Sequence, residues 1–206
     1  MMAFTDWTGL SGSALVWLLL ALRLPVAARL TNPQRALFVA AAYCVVMLPV
    51  FGLSLAGWLR GMVGDLSLSS VLLLGAALFT RLRLLAGGAA DTVWDARDRF
   101  ALLAFLSVIA LLLYPFALGV GILDPYRSGF AGIAFIVALA LLSLWAMRRN
   151  LLLLPLAIAL AVLAWSLGWY ESTNLWDYLI DAPLAIYALA TIGKSLLFNV
   201  RRGNRA

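Results

Sequence analysis

Histidine is absent from this 206-residue chain, and cysteine occurs only once. Without histidine, the chain has no imidazole to ligate haem, to bind zinc in a site of the usual type, or to act as a general base. A single cysteine cannot form a disulfide within one chain. Charge is also scarce, because acidic and basic residues make up 12% of the sequence, whereas a water-soluble domain carries about 25%. Too few polar residues remain to cover the surface of a soluble protein.

Apolar residues are what the chain has in excess. They make up 65% of the sequence, and the mean hydropathy is +1.03. Seven runs have roughly the 17–25 residues that a helix needs to cross a bilayer, and none alternates as a barrel strand does. The sequence therefore predicts an all-α polytopic integral membrane protein, a single transmembrane domain over residues 1–206 built as a bundle of seven transmembrane helices. The predicted spans are 10–30, 36–59, 66–85, 100–122, 129–147, 151–169 and 176–200.

The basic residues fix the direction of these spans. Thirteen of the 15 lysines and arginines flank the first, third and fifth connections and the C-terminus, and only Arg60 and Arg127 fall on the other side. Cytoplasmic loops carry the excess of lysine and arginine, so we expect the N-terminus outside and the C-terminus in the cytoplasm. The thirteen are Arg23, Arg29, Arg35, Arg81, Arg83, Arg97, Arg99, Arg148, Arg149, Lys194, Arg201, Arg202 and Arg205.

Two further patterns fit this topology. A cleaved secretory leader begins with a positive segment, whereas the first base here is Arg23, so we expect the first helix to be retained. Tryptophan and tyrosine favour the headgroup layer, and several of them fall at the predicted outer ends of the spans. These are Trp7, Trp58, Tyr126, Trp169, Tyr170, Trp176 and Tyr178.

Most of the carboxylates lie on the predicted outer face. Six of the nine are there, in short polar segments that also hold hydrogen-bonding side chains. We therefore place the candidate polar site on this face. Its predicted members are Asp181, Asp177, Asn174, Tyr178, Glu171, Arg127, Asp124, Asp65 and Arg60.

The segment before the last span carries the densest part of this site. If Ser172 or Thr173 caps that helix, then Asn174, Asp177 and Asp181 share one helical face. Asp181 would lie about 10 Å deeper than Asn174, where a carboxylate needs a cavity, water or a cation. The two outer-face arginines are the expected partners, and we expect at least one of them within about 4 Å of an outer carboxylate. This pairing predicts that the outer ends of the fourth and seventh spans converge. Three interpretations stay open: a structural ion-pair network, a functional pocket and a solvated rim.

Other acids have local explanations. Asp65 follows Gly64 and precedes an apolar run, which is typical of a helix N-cap. Asp124 precedes Pro125, a pair that commonly starts a turn. On the cytoplasmic side, Asp91, Asp95 and Arg99 are spaced to share one face of a solvated helical lead-in to the fourth span.

Three classes of function fit these features. The first is a non-catalytic subunit or partner protein of the bacterial cytoplasmic (inner) membrane, whose outer face binds an envelope protein or a lipid headgroup. The second is a small carrier or channel with an outward-facing vestibule. The third is a carboxylate-dependent enzyme acting on a lipid-linked substrate at the outer leaflet, with or without Mg²⁺. The first is favoured, with membrane lipids as expected partners and no resident cofactor. A nucleic-acid partner is not expected, because the basic residues lie at the ends of apolar runs.

Overall fold

The computed structural model describes residues 4–50, 52–89, 91–130 and 132–203, with side chains as far as residue 198. Over these ranges the chain forms ten α-helices, one 3₁₀ turn and no β-strand, which confirms the predicted all-helical class. The helices are α1 Phe4–Ala21, α2 Pro25–Arg29, α3 Asn32–Met47, α4 Leu55–Val63, α5 Leu68–Leu85, α6 Ala96–Ala117, α7 Ile133–Arg148, α8 Leu153–Ser166, α9 Leu175–Leu179 and α10 Ala182–Gly203, and the 3₁₀ turn is Pro125–Gly129.

Seven of the described helices have 14 to 22 residues and correspond in order to the seven predicted spans. Two of them, α5 and α6, are long and apolar enough to cross a membrane. Three more apolar stretches are shorter, namely α7, α8 and the part of α10 from Ala182 to Phe198. Two helices, α5 and α6, are thus long and apolar enough to cross a membrane, and the predicted seven-span bundle is not confirmed.

The first two predicted spans are each interrupted near a proline. The run 10–30 divides into α1 and α2, and the run 36–59 divides into α3 and α4. Leu24 and Leu48, which precede Pro25 and Pro49, are both extended, because the proline ring excludes the helical conformation at the residue before it. Hydropathy alone does not register this effect, so both spans were predicted as continuous.

The main core lies among α6, α8, α9 and α10, with a contribution from α7. Leu102, Leu106, Leu153, Ala161 and Tyr178 are buried at its centre. A smaller cluster joins α1, α3 and α4, and α5 packs against both α1 and α8. At one end of the bundle, the start of α5, the 3₁₀ turn, α9 and the start of α10 come together. The predicted outer-face residues lie at this end.

Candidate functional site

The polar segment before the last long helix does not form one continuous helix. α9 ends at Leu179, Ile180 is extended with φ −145°, and α10 starts at Ala182. Asn174, rather than Ser172 or Thr173, caps α9, since its side chain accepts a hydrogen bond from the Trp176 N–H. Asp181 precedes a separate helix. The prediction that Asn174, Asp177 and Asp181 share one helical face was therefore wrong, because the helix breaks between the second residue and the third.

Asp181 joins two helix N-termini. One carboxylate oxygen accepts from the Leu184 N–H at 2.8 Å, in the first turn of its own helix. The other accepts from both the backbone N–H and the hydroxyl of Ser67, each at 2.8 Å. Ser67 is the N-cap of α5. The carboxylate is 7% exposed and lies where the partial positive charges of two helices meet.

The two deep carboxylates bind neutral groups among the residues that the structure describes. Within the described part of the chain, Asp177 and Asp181 have no arginine or lysine within ion-pair distance. The predicted pairing of these two residues with Arg60 or Arg127 was therefore wrong. Backbone N–H and hydroxyl groups replace the cation, because a helix N-terminus stabilises negative charge without a basic side chain.

Arg60 is instead the centre of a separate cluster with other acids. Its guanidinium donates to Asp65 at 2.6 and 3.2 Å and to Asp6 at 2.9 Å, and Glu171 lies 3.9 Å away. The expectation that one of the two outer arginines pairs with an outer carboxylate is confirmed by these contacts. The hydrogen bond to Asp65 raises the pKa of Arg60 above its ordinary value, and the bond to Asp6 adds to this against the opposite effect of burial. The N-cap predicted at Asp65 was wrong, since Ser67 holds that position.

Gly9 on α1 allows this cluster to form. A Cβ atom at Gly9 would lie 2.7 Å from Arg60 Nε and closer still to Asp65. No side chain fits there without displacing the ion pair. The N-terminal part of α1 is thus packed directly against the Arg60–Asp65 pair.

Asp177 and Asn174 hold α9 against the 3₁₀ turn. Asp177 accepts from the Tyr126 hydroxyl at 2.8 Å and from the Ser172 hydroxyl, while the Asn174 side chain donates to the Tyr126 carbonyl at 2.9 Å. Burial raises the pKa of Tyr126, and the hydrogen bond to Asp177 raises it further. These contacts join the turn that follows the predicted fourth span to the start of the predicted seventh, with hydrogen bonds in place of the expected ion pair.

Tyr170 and Tyr178 are buried inside the fold. Their rings stack with centroids 5.1 Å apart, and Tyr178 is fully buried. The Tyr170 hydroxyl donates to the Leu66 carbonyl at 2.7 Å, and the Tyr178 hydroxyl donates to the Ser172 carbonyl at 2.9 Å. Burial raises the pKa of Tyr170. Because their hydroxyls bind backbone carbonyls, these two side chains hold the fold together at this end of the bundle.

Three predicted members stay at the periphery. Asp124 is exposed, and its carboxylate accepts from the Arg127 N–H at 3.2 Å, which confirms the predicted turn. The Arg127 side chain is exposed and forms no ion pair with any described residue. Glu171 is 70% exposed at its side chain. The nine predicted residues therefore do not surround one cavity.

One buried carboxylate at the other end of the bundle was not predicted from the sequence. Asp98 on α6 is 8% exposed and accepts from the Leu152 N–H at 2.8 Å, at the start of α8. α6 begins at Ala96, so Asp91 and Asp95 precede it, and the helical face predicted for them with Arg99 was wrong. The sequence signal was present but weak: Asp98 is the acid that falls within the first turn of the helix.

No known protein family matches this chain, and no curated protein or solved structure is significantly similar to it. What this protein can do chemically is therefore inferred from its own contacts. No group of three or more potential metal ligands occurs in the part of the chain that the structure describes. Three of the outer carboxylates have different partners: Asp181 binds Ser67, Asp177 binds Tyr126, and Asp65 binds Arg60. In each of these places the carboxylate holds one element of the fold against another.

Proposed function

We propose that this chain is a non-catalytic integral protein of the bacterial cytoplasmic membrane whose role is to bind membrane lipid. In this proposal the seven long helices cross the bilayer, with the N-terminus outside and the C-terminus in the cytoplasm. α2 and α9 are the short helices that lie at the membrane surfaces, and α4 runs beside α1, from Leu55 at Trp17 to Arg60 at Asp6. The distribution of arginines and the one-to-one match between long helices and apolar runs support this arrangement.

The outer surface of the helices supports a lipid environment. Large apolar side chains are widely exposed on it, including Leu111 at 62%, Leu141 at 62%, Ile186 at 69% and Leu197 at 63%. A water-soluble monomer rarely exposes apolar patches larger than a few hundred Å². Acyl chains would cover these side chains without the free-energy cost of exposing them to water.

The hydrogen bonds of Asp177 and Asp181 are the main support for a non-catalytic role. Both carboxylates are used as hydrogen-bond acceptors within the protein, at helix ends and at the Tyr126 hydroxyl. A general acid or base needs free access to a substrate proton. Carboxylates that hold helix ends together are better suited to stability than to turnover.

The carrier and enzyme alternatives have less support from the same geometry. An outward vestibule needs polar side chains that are open to the outer solvent, whereas Asn174 and Tyr178 are fully buried. A two-carboxylate enzyme needs two acids that face one ligand. Here the three buried or half-buried outer acids that could serve face three different partners.

Purification from native membranes tests the lipid role. The full chain is extracted in mild detergent, and retained lipid and protein are identified by mass spectrometry. We expect lipid at near-stoichiometric amounts, and no conversion of that lipid when the purified protein is incubated with it. Retention of an envelope protein without lipid would replace the lipid role by a partner-protein role, and consumption of the lipid would overturn the non-catalytic proposal.

The topology has its own test. Alkaline phosphatase is active only outside the cytoplasm, so a fusion at the C-terminus should be inactive, and a fusion after residue 124 in the loop that precedes the 3₁₀ turn should be active. A green fluorescent protein fusion at the C-terminus, which fluoresces in the cytoplasm, serves as the positive control. Phosphatase activity at the C-terminus would overturn the predicted orientation.

A further inference from the structure

A long groove is lined by residues of α1, α5, α6 and α10. Its volume is about 560 Å³, within the range of about 300–1,000 Å³ that is typical of small-molecule pockets. Its walls are mainly apolar, with Leu19, Leu73 and Leu184 among the lining residues. Pro183 and Tyr187 on α10, which also line it, are exposed, so the groove is open to the surroundings along that helix.

One end of this groove is basic. Arg23 follows α1, Arg81 lies near the end of α5 and Arg99 lies in the first turns of α6, and all three line the groove. The Arg81 guanidinium is fixed in place, because it donates through both Nε and Nη2 to the Leu22 carbonyl at 3.3 Å. Among the described residues, none of the three arginines has a carboxylate within ion-pair distance. The groove therefore carries three arginines that are not ion-paired within the described part of the chain.

The groove follows α5 for most of its length. Its lining residues run from Leu66 and Ser70, at the end where Ser67 binds Asp181, to Arg81 and Leu84. The rise from Ser70 to Arg81 is about 16 Å at about 1.5 Å per residue. An acyl chain whose headgroup lies at the arginines would thus have about 16 Å of mainly apolar wall beside it.

We propose that this groove holds an anionic phospholipid of the cytoplasmic leaflet, with an acyl chain along α5 and the phosphate at Arg23, Arg81 and Arg99. The inference rests on the proposed lipid-binding function and adds the leaflet, the headgroup charge and the residues. Guanidinium groups bind phosphate through charge-assisted hydrogen bonds, and the apolar walls exclude a free phosphate ion as the whole ligand. Thirteen of the 15 bases lie on the predicted cytoplasmic side, which agrees with a site that opens toward the anionic inner leaflet.

Lipid affinity of the purified full chain in detergent tests this site. Binding of phosphatidylglycerol and of phosphatidylcholine with the same acyl chains is measured by native mass spectrometry. We expect phosphatidylglycerol to bind the natural chain more tightly than phosphatidylcholine, and the double substitution R23Q/R99Q to weaken it about 25-fold, since each arginine contributes about fivefold near an anionic headgroup. The matched control is R148Q/R149Q, which removes two charges from the same predicted face without touching the groove.

A second pair of variants tests the apolar part of the groove. Ala77 lines it on α5, so A77W should block acyl-chain entry and reduce phosphatidylglycerol binding at least tenfold. Ala138 is equally exposed on α7 and lies outside the groove, so A138W should leave binding unchanged. Thermal melting of each variant shows whether it is folded. R81Q, which retains a side-chain donor for the Leu22 carbonyl, is the further variant if R23Q/R99Q does not fold.

The outcomes separate this inference from the proposed function. Weakening by R23Q/R99Q and A77W, with both controls unaffected, supports the groove site. Equal weakening by R148Q/R149Q would show general surface attraction and overturn it, as would equal affinity for phosphatidylcholine or full competition by glycerol phosphate alone. If native lipid copurifies with the chain but phosphatidylglycerol binding resists all groove variants, the groove site fails while lipid binding stands. If no lipid is retained at all, both fail.

Discussion

Replacement of Asp181 by asparagine is expected to destabilise the protein, because the carboxylate connects two helices. The side chain accepts three hydrogen bonds, two from Ser67 and one from the Leu184 N–H. An asparagine side chain has one acceptor oxygen and an NH₂ group that can only donate. In either orientation of the amide, the NH₂ group faces at least one N–H donor and leaves it without an acceptor.

The cost follows from these contacts. A buried N–H without a partner costs about 1–3 kcal/mol, and loss of negative charge at a helix N-terminus costs about 0.3–1 kcal/mol for each helix. The sum is about 2–5 kcal/mol, which for a chain of this size lowers the melting midpoint by about 4–20 °C. Asp181 has no cation nearby in the described structure, so the loss comes from the stranded N–H and not from a stranded arginine.

Thermal melting of the detergent-solubilised protein measures this loss. D124N is the matched control: Asp124 is exposed and accepts one backbone hydrogen bond at 3.2 Å, so it should shift the midpoint little. S67A and the double variant S67A/D181N complete a mutant cycle, for which we expect a coupling energy of about 0.5–3 kcal/mol. If D181N has the same melting midpoint as the natural chain and D124N but loses lipid binding, then Asp181 belongs to a binding pocket and the structural role is refuted.

Two other substitutions test the contacts at the two ends of the bundle. G129A should cost about 1–3 kcal/mol, because a Cβ at Gly129 would overlap the Asn174 side chain, whereas G61A on α4 adds a methyl group to open space and should cost far less. D98A removes the Oδ1 acceptor of the Leu152 N–H at the start of α8 and should cost about 1–3 kcal/mol. Its control D95A, at an exposed cap without a side-chain hydrogen bond, should be nearly neutral. Melting midpoints of the four variants check both predictions, and equal midpoints within either pair would contradict that prediction.

The long helices were predictable because their cause is local. The predicted span 66–85 and the observed α5 Leu68–Leu85 differ by two residues, since a serine cap begins the apolar run and arginines end it. The breaks near Pro25 and Pro49 are also local. They were missed because a run of apolar residues was given more weight than the restriction that proline imposes on the residue before it.

The N-cap of α5 was predicted at Asp65 but lies at Ser67. Local sequence does not decide between these two residues. Both residues lie before the same apolar run, and both side chains are good N-caps. Arg60, five residues before Asp65, binds that carboxylate at 2.6 Å and leaves the cap to Ser67. The choice depends on where α4 ends and on the ion pair between Arg60 and Asp65. The spacing between Gly64 and the apolar run indicates neither of these.

The partners of the deep acids were missed for a related reason. An inventory of charged side chains finds two outer arginines for Asp177 and Asp181, but it does not count the partial positive charge at each helix N-terminus. Asp181 binds the first residue before α5, and Asp98 at the opposite end binds the first residues of α8. Each carboxylate thus caps a helix from another part of the chain.

This use of the acids also explains why the basic residues remain open for a ligand. Two buried carboxylates, Asp98 and Asp181, are committed to backbone N–H groups, and the half-buried Asp65 is committed to Arg60. The arginines that line the groove are therefore left without an acid among the described residues. Helix ends thus bind two of the buried negative charges, and the three groove arginines keep their charge available for the phosphate of the proposed lipid.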